Sequence, residues 1–292
     1  MATLGEWIEG ARPRTLVAAL SPVLAGSAIA WFEHGFRPWH ALLAFLVALA
    51  LQIGVNFAND YSDGIRGTDE DRVGPMRLVG SGAARPAQVK TAAFTCFGIA
   101  AVLGLLLVAM TGHWWITLVG AASILAAWFY TGGDHPYGYA GLGEVFVFIF
   151  FGLVAVCGTT YVQLDRVPAS SLAASVAIGI VACQILVANN LRDIDGDREV
   201  GKRTLATRLG HQGTRRFFAL LTVLAAALVV VTAALSTWWA LLGLAMLVLL
   251  APATRVVLSG ATGRPLIGVL KQVGLAELLC AVGLFGGCVI GA

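Results

Sequence analysis

Residues 55 to 63 read Val-Asn-Phe-Ala-Asn-Asp-Tyr-Ser-Asp, and they end a long apolar stretch with a group of polar side chains. The polar residues are Asn56, Asn59, Asp60 and Asp63. Their offsets of 0, 3, 4 and 7 match the period of an α-helix, so the spacing places all four on one helical face. We therefore predict a helix that leaves an apolar environment with carboxylates and amides at its end.

The same pattern returns later in the chain, where residues 187–197 read Val-Ala-Asn-Asn-Leu-Arg-Asp-Ile-Asp-Gly-Asp. The frame Asn189-Asn-x-x-Asp193 repeats Asn59-Asp-x-x-Asp63, and each copy follows about twenty apolar residues. The polar face of this second copy comprises Asn190, Asp193 and Asp197. Two acid-rich helix ends of the same design predict one shared site.

The composition indicates an integral membrane protein. The chain has 292 residues, of which 58% are hydrophobic and 12% charged, whereas soluble domains carry about 25% charge. Its mean hydropathy is +0.83. Long unbroken apolar runs favour helices over barrel strands. The first ten residues contain Glu6 and Glu9 and lack a basic segment before an apolar core, so we expect no removable signal peptide. The five cysteines lie in apolar stretches without a C-x-x-C pair, which favours packing roles.

The hydrophobic pattern predicts an all-α integral membrane bundle of nine transmembrane helices, formed by one domain over residues 1–292. The expected spans are 15–33, 39–58, 89–110, 114–131, 141–163, 170–191, 214–235, 237–258 and 269–290. Of the 19 Lys and Arg, only Arg37 and Arg166 fall in the odd-numbered loops. The positive-inside rule then places the N-terminus and both acidic motifs in the cytoplasm and the C-terminus outside, with a cell-membrane location.

Several loops on the predicted cytoplasmic side carry further candidates for substrate contact. The loop 64–86 mixes acids, arginines and glycines, which fits closure over a phosphate, although its arginines also satisfy positive-inside bias. The loop after residue 129 is rich in Gly and Tyr yet has no Lys or Arg, so topology does not explain it. The candidates outside the two motifs are Arg14, Arg72, Arg77, Tyr130, His135, Tyr137, Lys202 and Arg203.

Carboxylates without cysteine or a histidine pair indicate Mg²⁺, which prefers oxygen ligands and commonly joins a few carboxylates to substrate phosphates. A polyprenyl diphosphate suits this location because its apolar chain lies in the bilayer while its head group stays at the edge. The metal would neutralise the departing diphosphate. Arg72, Arg77, Lys202 and Arg203 would add positive charge to the same leaving group.

The chain resembles the UbiA superfamily of intramembrane aromatic prenyltransferases along essentially its whole length. Asn59-Asp-Tyr-Ser-Asp-Gly, Tyr130-Thr-Gly-Gly and Asn189-Asn-Leu-Arg-Asp-Ile are most similar to the branch that acts on 1,4-dihydroxy-2-naphthoate. The resemblance implies polyprenyl transfer to that acceptor with decarboxylation, giving demethylmenaquinone. It also implies catalytic and Mg²⁺-binding roles for Asp60, Asp63, Asp193 and Asp197, with Asn56, Asn59 and Asn190 supporting the diphosphate site.

Alternatives remain open at this point. Within the same fold the acceptor could be 4-hydroxybenzoate, homogentisate or a phosphorylated sugar, and a cation or solute transporter is a different class. His135 stands where many relatives carry lysine, which predicts greater sensitivity of activity to pH. Glu277 is unassigned. We expect the bilayer and the two substrates as partners and no nucleic acid, while chain length and oligomeric state stay undetermined.

Overall fold

The structure is a computed structural model that describes residues 2–67 and 76–292. Within these ranges the chain is helical and contains no strand. Its helices are α1 (Leu4–Gly10), α2 (Val17–Phe32), α3 (Pro38–Ile65), α4 (Pro86–Thr111), α5 (Ile116–Phe129), α6 (Gly143–Leu164), α7 (Ala169–Arg192), α8 (Ile194–Glu199), α9 (Leu205–Leu235), α10 (Trp238–Leu258) and α11 (Pro265–Gly291). Short 3-10 turns follow α1 at Pro13–Thr15 and precede α6 at Tyr137–Ala140.

Seven of the described helices are long and apolar enough to cross a membrane, namely α3, α4, α6, α7, α9, α10 and α11. An eighth is obtained if α2 is counted with the segment Leu4–Thr15, from which it is bent by 43°. Helix α5 has only 14 residues, fewer than the roughly twenty that span a bilayer. All nine predicted stretches are helical, but length and composition alone support seven or eight spans rather than nine.

Helix α7 lies at the centre of the bundle. In its most apolar window 78% of the residues are buried, against 28–50% in the other six spans. Ile178 of α7 belongs to a core cluster with Phe218, Met246 and Leu284 from α9, α10 and α11. Helices α6 and α7 cross at Gly152 and Gly179, where a Cβ on Gly152 would lie 2.7 Å from the Gly179 Cα. Small residues at this crossing let the backbones touch, as membrane bundles require.

A second, smaller cluster joins α3 and α4. It contains Phe57 of α3, Val89 and Phe97 of α4, and Leu78 from the segment between these helices. Large apolar side chains elsewhere, such as Val102 and Val248, point outward, as expected of surfaces that face lipid. The two clusters leave a large cavity between them, and both acidic motifs open onto it.

Candidate functional site

The ends of α3 and α7 lie on the same side of the bundle. Arg37, just before α3, is 3.5 Å from Asp165, which lies just before α7. His113 contacts the other oxygen of Asp165 at 2.7 Å, and this hydrogen bond lowers the pKa of the carboxyl group. Because the two helices start together and span the same apolar thickness, the acidic motifs at their C-terminal ends are brought to one face.

A cavity of about 1770 Å³ runs from this face into the bundle. Asp63 of the first motif and Asp193 and Asp197 of the second line its polar end. Its remaining wall is mostly apolar and includes Gly104 of α4 and Phe150 of α6. Residues 148–157 of α6 have π-helical geometry, which commonly marks functional sites. The arrangement offers a charged head-group site joined to a long apolar channel.

Asn59 and Asp63 of the first motif line this cavity. The Asp63 carboxylate accepts a hydrogen bond of 2.5 Å from the Tyr139 hydroxyl and one of 3.3 Å from the Arg77 guanidinium. Asn59 Oδ1 accepts from the Thr131 hydroxyl at 2.7 Å. Both residues are therefore oriented by segments that follow α3 in the chain.

The second motif is surrounded by basic and amide groups. Arg192 donates to both oxygens of Asp193 at 2.6 Å, and the Arg192 side chain is buried. Lys202 lies 3.7 Å from Asp197. Asn190 donates to the Glu144 carboxylate at 3.0 Å. Cations next to these carboxylates concentrate positive charge where an anionic head group would enter.

Tyr139 links the two motifs. Its hydroxyl contacts Asp63, and the Lys202 ammonium lies 4.5 Å from its ring centroid. The backbone N–H of Arg203 donates to the Tyr139 carbonyl at 3.0 Å. Burial, followed by the charge of Asp63, raises the pKa of Tyr139, so its hydroxyl remains a donor at neutral pH.

Replacing Tyr139 with phenylalanine is expected to lower kcat/KM about tenfold, because Asp63 loses the donor that orients it. Steady-state kinetics at varied Mg²⁺ would show a raised requirement for the metal. Tyr61→Phe is a suitable control, since the described contacts of Tyr61 are with Trp128 and Lys90. An unchanged Mg²⁺ requirement in Tyr139→Phe would remove the orienting role.

Tyr130 lines the same cavity as Asp63 of the first motif and Asp197 of the second. Its ring packs against Tyr137 with 5.5 Å between centroids, and both tyrosines line the cavity. The Tyr137 hydroxyl donates to the Ala126 carbonyl at 2.8 Å, so Tyr137 presents its ring rather than its hydroxyl.

Asn56, the remaining asparagine of the first motif, uses its side-chain amide to hold another segment of the chain. Asn56 lines the cavity, but its amide donates to the Ala11 carbonyl at 2.9 Å and to the Thr15 hydroxyl at 3.0 Å. It thereby holds the turn between α1 and α2, which carries Arg14. Arg14 itself is exposed at the cavity wall. Arg72, together with the acids around it, lies outside the described residues.

Three of the predicted site residues are placed differently by the structure. Among the described residues, Asp60, His135 and Arg203 do not line the cavity. Asp60 is fully buried and turned away because its oxygens accept backbone hydrogen bonds. His135 and Arg203 are exposed, since the turns that carry them direct their side chains to the surface. Direct substrate contact by His135 and Arg203 therefore stays a prediction that the cavity lining does not support. Glu277 is fully buried in α11, outside the cavity wall, and has no assigned role.

The structure also brings Arg66, Tyr139, Glu144 and Arg192 to the site. The sequence had marked the tyrosines of the loop after residue 129 and Glu144 as possible contributors, but it did not single out Arg66 or Arg192. Adjacent residues on a helix do not face each other, so the Arg192–Asp193 contact is possible only because α7 ends between them. Arg66 donates to the carbonyls of Thr131 and Gly133, which fixes the loop after α5. The Tyr-rich composition of that loop was a usable signal for Tyr139, whereas no sequence signal identifies Arg66.

The donor set fits a magnesium ion that is completed by substrate. In the part of the chain that the structure describes, no three His, Cys, Asp or Glu residues form a metal cluster. Asp63, Asp193 and Asp197 nevertheless line one cavity, two of them on the second motif. Mg²⁺ is commonly bound by one or two carboxylates together with substrate phosphates. The residues present therefore suit shared coordination with a phosphate, not a closed protein cage.

Comparisons with known proteins agree with this geometry. Residues 19–264 match the UbiA prenyltransferase family. The chain is 51% identical to "1,4-dihydroxy-2-naphthoate octaprenyltransferase" of Mycobacterium tuberculosis, covering 100% of this chain and 99% of the relative. It is 38% identical to the Escherichia coli protein of the same name, covering 96% and 94% of the two chains.

Solved structures share the fold. An apo UbiA homologue from Aeropyrum pernix superimposes with a TM-score of 0.71 at 17% identity, over 94% of this chain and 97% of that one. A UbiA homologue from Archaeoglobus fulgidus bound to DMAPP and Mg²⁺ gives 0.63 at 13% identity, over 98% and 99%. The family match over most of the chain and the full-length relatives lead to one conclusion: this chain belongs to the UbiA prenyltransferase family.

Proposed function

We propose that the protein transfers a polyprenyl group from polyprenyl diphosphate to 1,4-dihydroxy-2-naphthoate in menaquinone biosynthesis. The allylic C–O bond of the donor breaks, and diphosphate leaves with the electron pair. The acceptor carbon that carries the carboxylate forms the new C–C bond and releases CO₂, which gives the hydroquinone form of demethylmenaquinone. The observation that carries this proposal is the pair of carboxylate motifs at one end of a long apolar cavity, in a chain whose full-length relatives bear this activity in their names.

Asp63, Asp193 and Asp197 would hold Mg²⁺, which supplies positive charge that favours departure of diphosphate. The protein itself contributes Arg77 and Lys202, which lie beside these carboxylates and bind the remaining phosphate charge. Support for the metal also comes from the homologue of the same fold that is bound to DMAPP and Mg²⁺.

The apolar wall of the cavity would hold the prenyl chain and protect the reacting carbon from water. Tyr137 and Phe146 stack with 3.9 Å between centroids, and Phe150 continues the stack at 6.1 Å from Phe146. All three line the cavity. Aromatic faces attract positive charge, so they stabilise an allylic cation while excluding water. They also provide stacking surfaces for a naphthalene ring.

The membrane arrangement follows from the same proposal. We place all nine helical stretches across the bilayer, with α5 and α2 as short or bent spans. The N-terminus and both motifs face the cytoplasm, where basic residues are concentrated, and the C-terminus faces outward. Residues 1–292 then form one prenyltransferase domain in the plasma membrane, and both substrates reach it from the inner leaflet and the cytoplasm.

The activity is tested by incubating the purified protein in lipid vesicles with labelled polyprenyl diphosphate and 1,4-dihydroxy-2-naphthoate. We expect a prenylated naphthalenediol and release of CO₂, both lost on addition of EDTA and restored by Mg²⁺. Parallel reactions with 4-hydroxybenzoate and homogentisate measure acceptor choice. Turnover of either at a rate equal to that of the naphthoate would contradict the assigned acceptor, and turnover unaffected by EDTA would contradict the metal.

A further inference from the structure

The Asp60 carboxylate is directed at backbone and not at the cavity. The side chain has 0% exposure. Its Oδ2 accepts from the backbone N–H of Leu78 at 2.7 Å, and its Oδ1 accepts from the next N–H, that of Val79, at 3.0 Å. Hydrogen bonds to an ionised carboxylate are stronger than those between neutral groups. One side chain of α3 therefore holds two consecutive amides of another segment.

The residues on either side of this contact complete a docking surface on α3. One turn earlier, Phe57 packs in the same apolar cluster as Leu78, which is fully buried. One turn later, Gly64 lies so close to Val79 that a Cβ at this position would overlap the valine side chain. Phe57, Asp60 and Gly64 therefore form a continuous strip on α3 that fits residues 78 and 79.

The docked segment presents Arg77 to the site. Arg77 precedes the anchored amides directly, and its guanidinium is 3.3 Å from Asp63, one turn along α3 from Asp60. The Arg77 side chain is 8% exposed and lines the cavity. Because residues 78 and 79 are fixed to the helix, the direction of the Arg77 side chain is fixed as well.

We propose that Asp60 is a positioning residue, which docks residues 78 and 79 on α3 so that Arg77 faces the diphosphate, and that it is not a magnesium ligand. The identification of diphosphate as the group that Arg77 contacts rests on the proposed function. Mg²⁺ binds in near-octahedral geometry and usually keeps several waters. A carboxylate with zero exposure, both of whose oxygens already accept amide protons, has no room for a hydrated ion. The roles within the first motif are therefore divided, with Asp63 facing the metal and Asp60 facing the backbone.

The docking is tested without turnover by amide hydrogen exchange on the metal-free protein in nanodiscs. In Asp60→Asn the new amide nitrogen faces a backbone N–H, so exchange at Leu78 and Val79 is expected to rise about ten- to hundredfold. Gly64→Ala should produce the same change by steric displacement, although it leaves both carboxylates intact. Asp63→Asn, the matched carboxylate control, should leave exchange at these two amides within about twofold.

Kinetics separate positioning from metal binding. Asp60→Asn and Gly64→Ala should both raise the KM for polyprenyl diphosphate about tenfold, as Arg77→Ala should, with the Mg²⁺ concentration for half-maximal activity unchanged. Asp63→Asn should raise that Mg²⁺ concentration. Unchanged exchange in Asp60→Asn, an unchanged donor KM in Gly64→Ala, or a shift in Mg²⁺ requirement equal to that of Asp63→Asn would each overturn the inference. An inactive wild type would refute the proposed function instead, and the exchange result would still stand.

Discussion

Alanine in place of Asp63 or Asp193 is expected to reduce kcat at least about 100- to 1000-fold. These two carboxylates come from different motifs and line the polar end of the same cavity. Each truncation removes an oxygen ligand from the proposed metal site and deletes the carboxylate that contacts Arg77 or Arg192. Product formation from labelled donor, measured at saturating Mg²⁺, gives the loss directly. Thermal unfolding in detergent should show that both variants remain folded.

Asp195→Ala is the matched control for this experiment. Asp195 lies two residues from Asp193, but its side chain is 77% exposed and contacts His211 and Arg198 rather than the cavity. We expect its kcat to stay within about twofold of the wild type, since exposed ion pairs contribute little. Near-native rates in Asp63→Ala and Asp193→Ala would discredit the shared site, and a large loss in Asp195→Ala would show that the effect is not specific to the cavity.

The second large effect concerns the length of the prenyl donor. Gly104 of α4 lines the cavity, and a Cβ at this position would meet no atom within 4 Å. Gly104→Trp therefore adds a large side chain at the channel wall, from a Cβ that meets no atom of the bundle. We expect kcat/KM for a long polyprenyl diphosphate to fall about 10- to 200-fold. The kcat/KM for geranyl diphosphate should change by less than about twofold. Gly104 lies 18 residues, or about 27 Å, along α4 from Pro86, where the helix begins, so a donor this short should not reach it.

Gly98→Trp provides the control on the same helix. Gly98 also has open space around its Cβ, but it is exposed and, among the described residues, not part of the cavity wall. The same tryptophan there should face lipid and leave both donors unaffected. A ratio of long-donor to short-donor kcat/KM that is equal in Gly104→Trp and the wild type would show that the prenyl chain does not pass this part of α4.

Much of the fold was predictable because it depends on local periodicity. Apolar runs of about twenty residues predicted helices that the structure confirms at all nine positions. The offsets around Asn59 and Asp63 predicted that α3 continues through the motif, and it does so as far as Ile65. Membership of the UbiA family agrees with the resemblance found in the motifs. The number of full spans was harder to predict, because α2 and α5 are shorter than the apolar stretches that contain them.

The site itself was only partly predictable, as the first motif shows. Asn59 and Asp60 are adjacent, so about 100° of helical rotation separates their side chains. Periodicity assigns both to one broad face, but the neighbours decide their roles: Thr131 meets Asn59 at the cavity, whereas Leu78 and Val79 cover Asp60. Those neighbours arrive from later loops, and no local pattern specifies where they dock.

The sequence by itself determined a helical membrane protein with two acid-rich helix ends, and it predicted a site for a hard cation and a phosphate. These properties follow from composition, residue chemistry and spacing within single helices. Only the tertiary structure decided which carboxylates face the cavity and which cations accompany them. The Tyr139–Asp63 hydrogen bond, for example, joins residues 76 positions apart. Such contacts are set by the packing of α3, α6 and α7 against one another, because long-range side-chain partners depend on how helices cross and not on the period of any one of them.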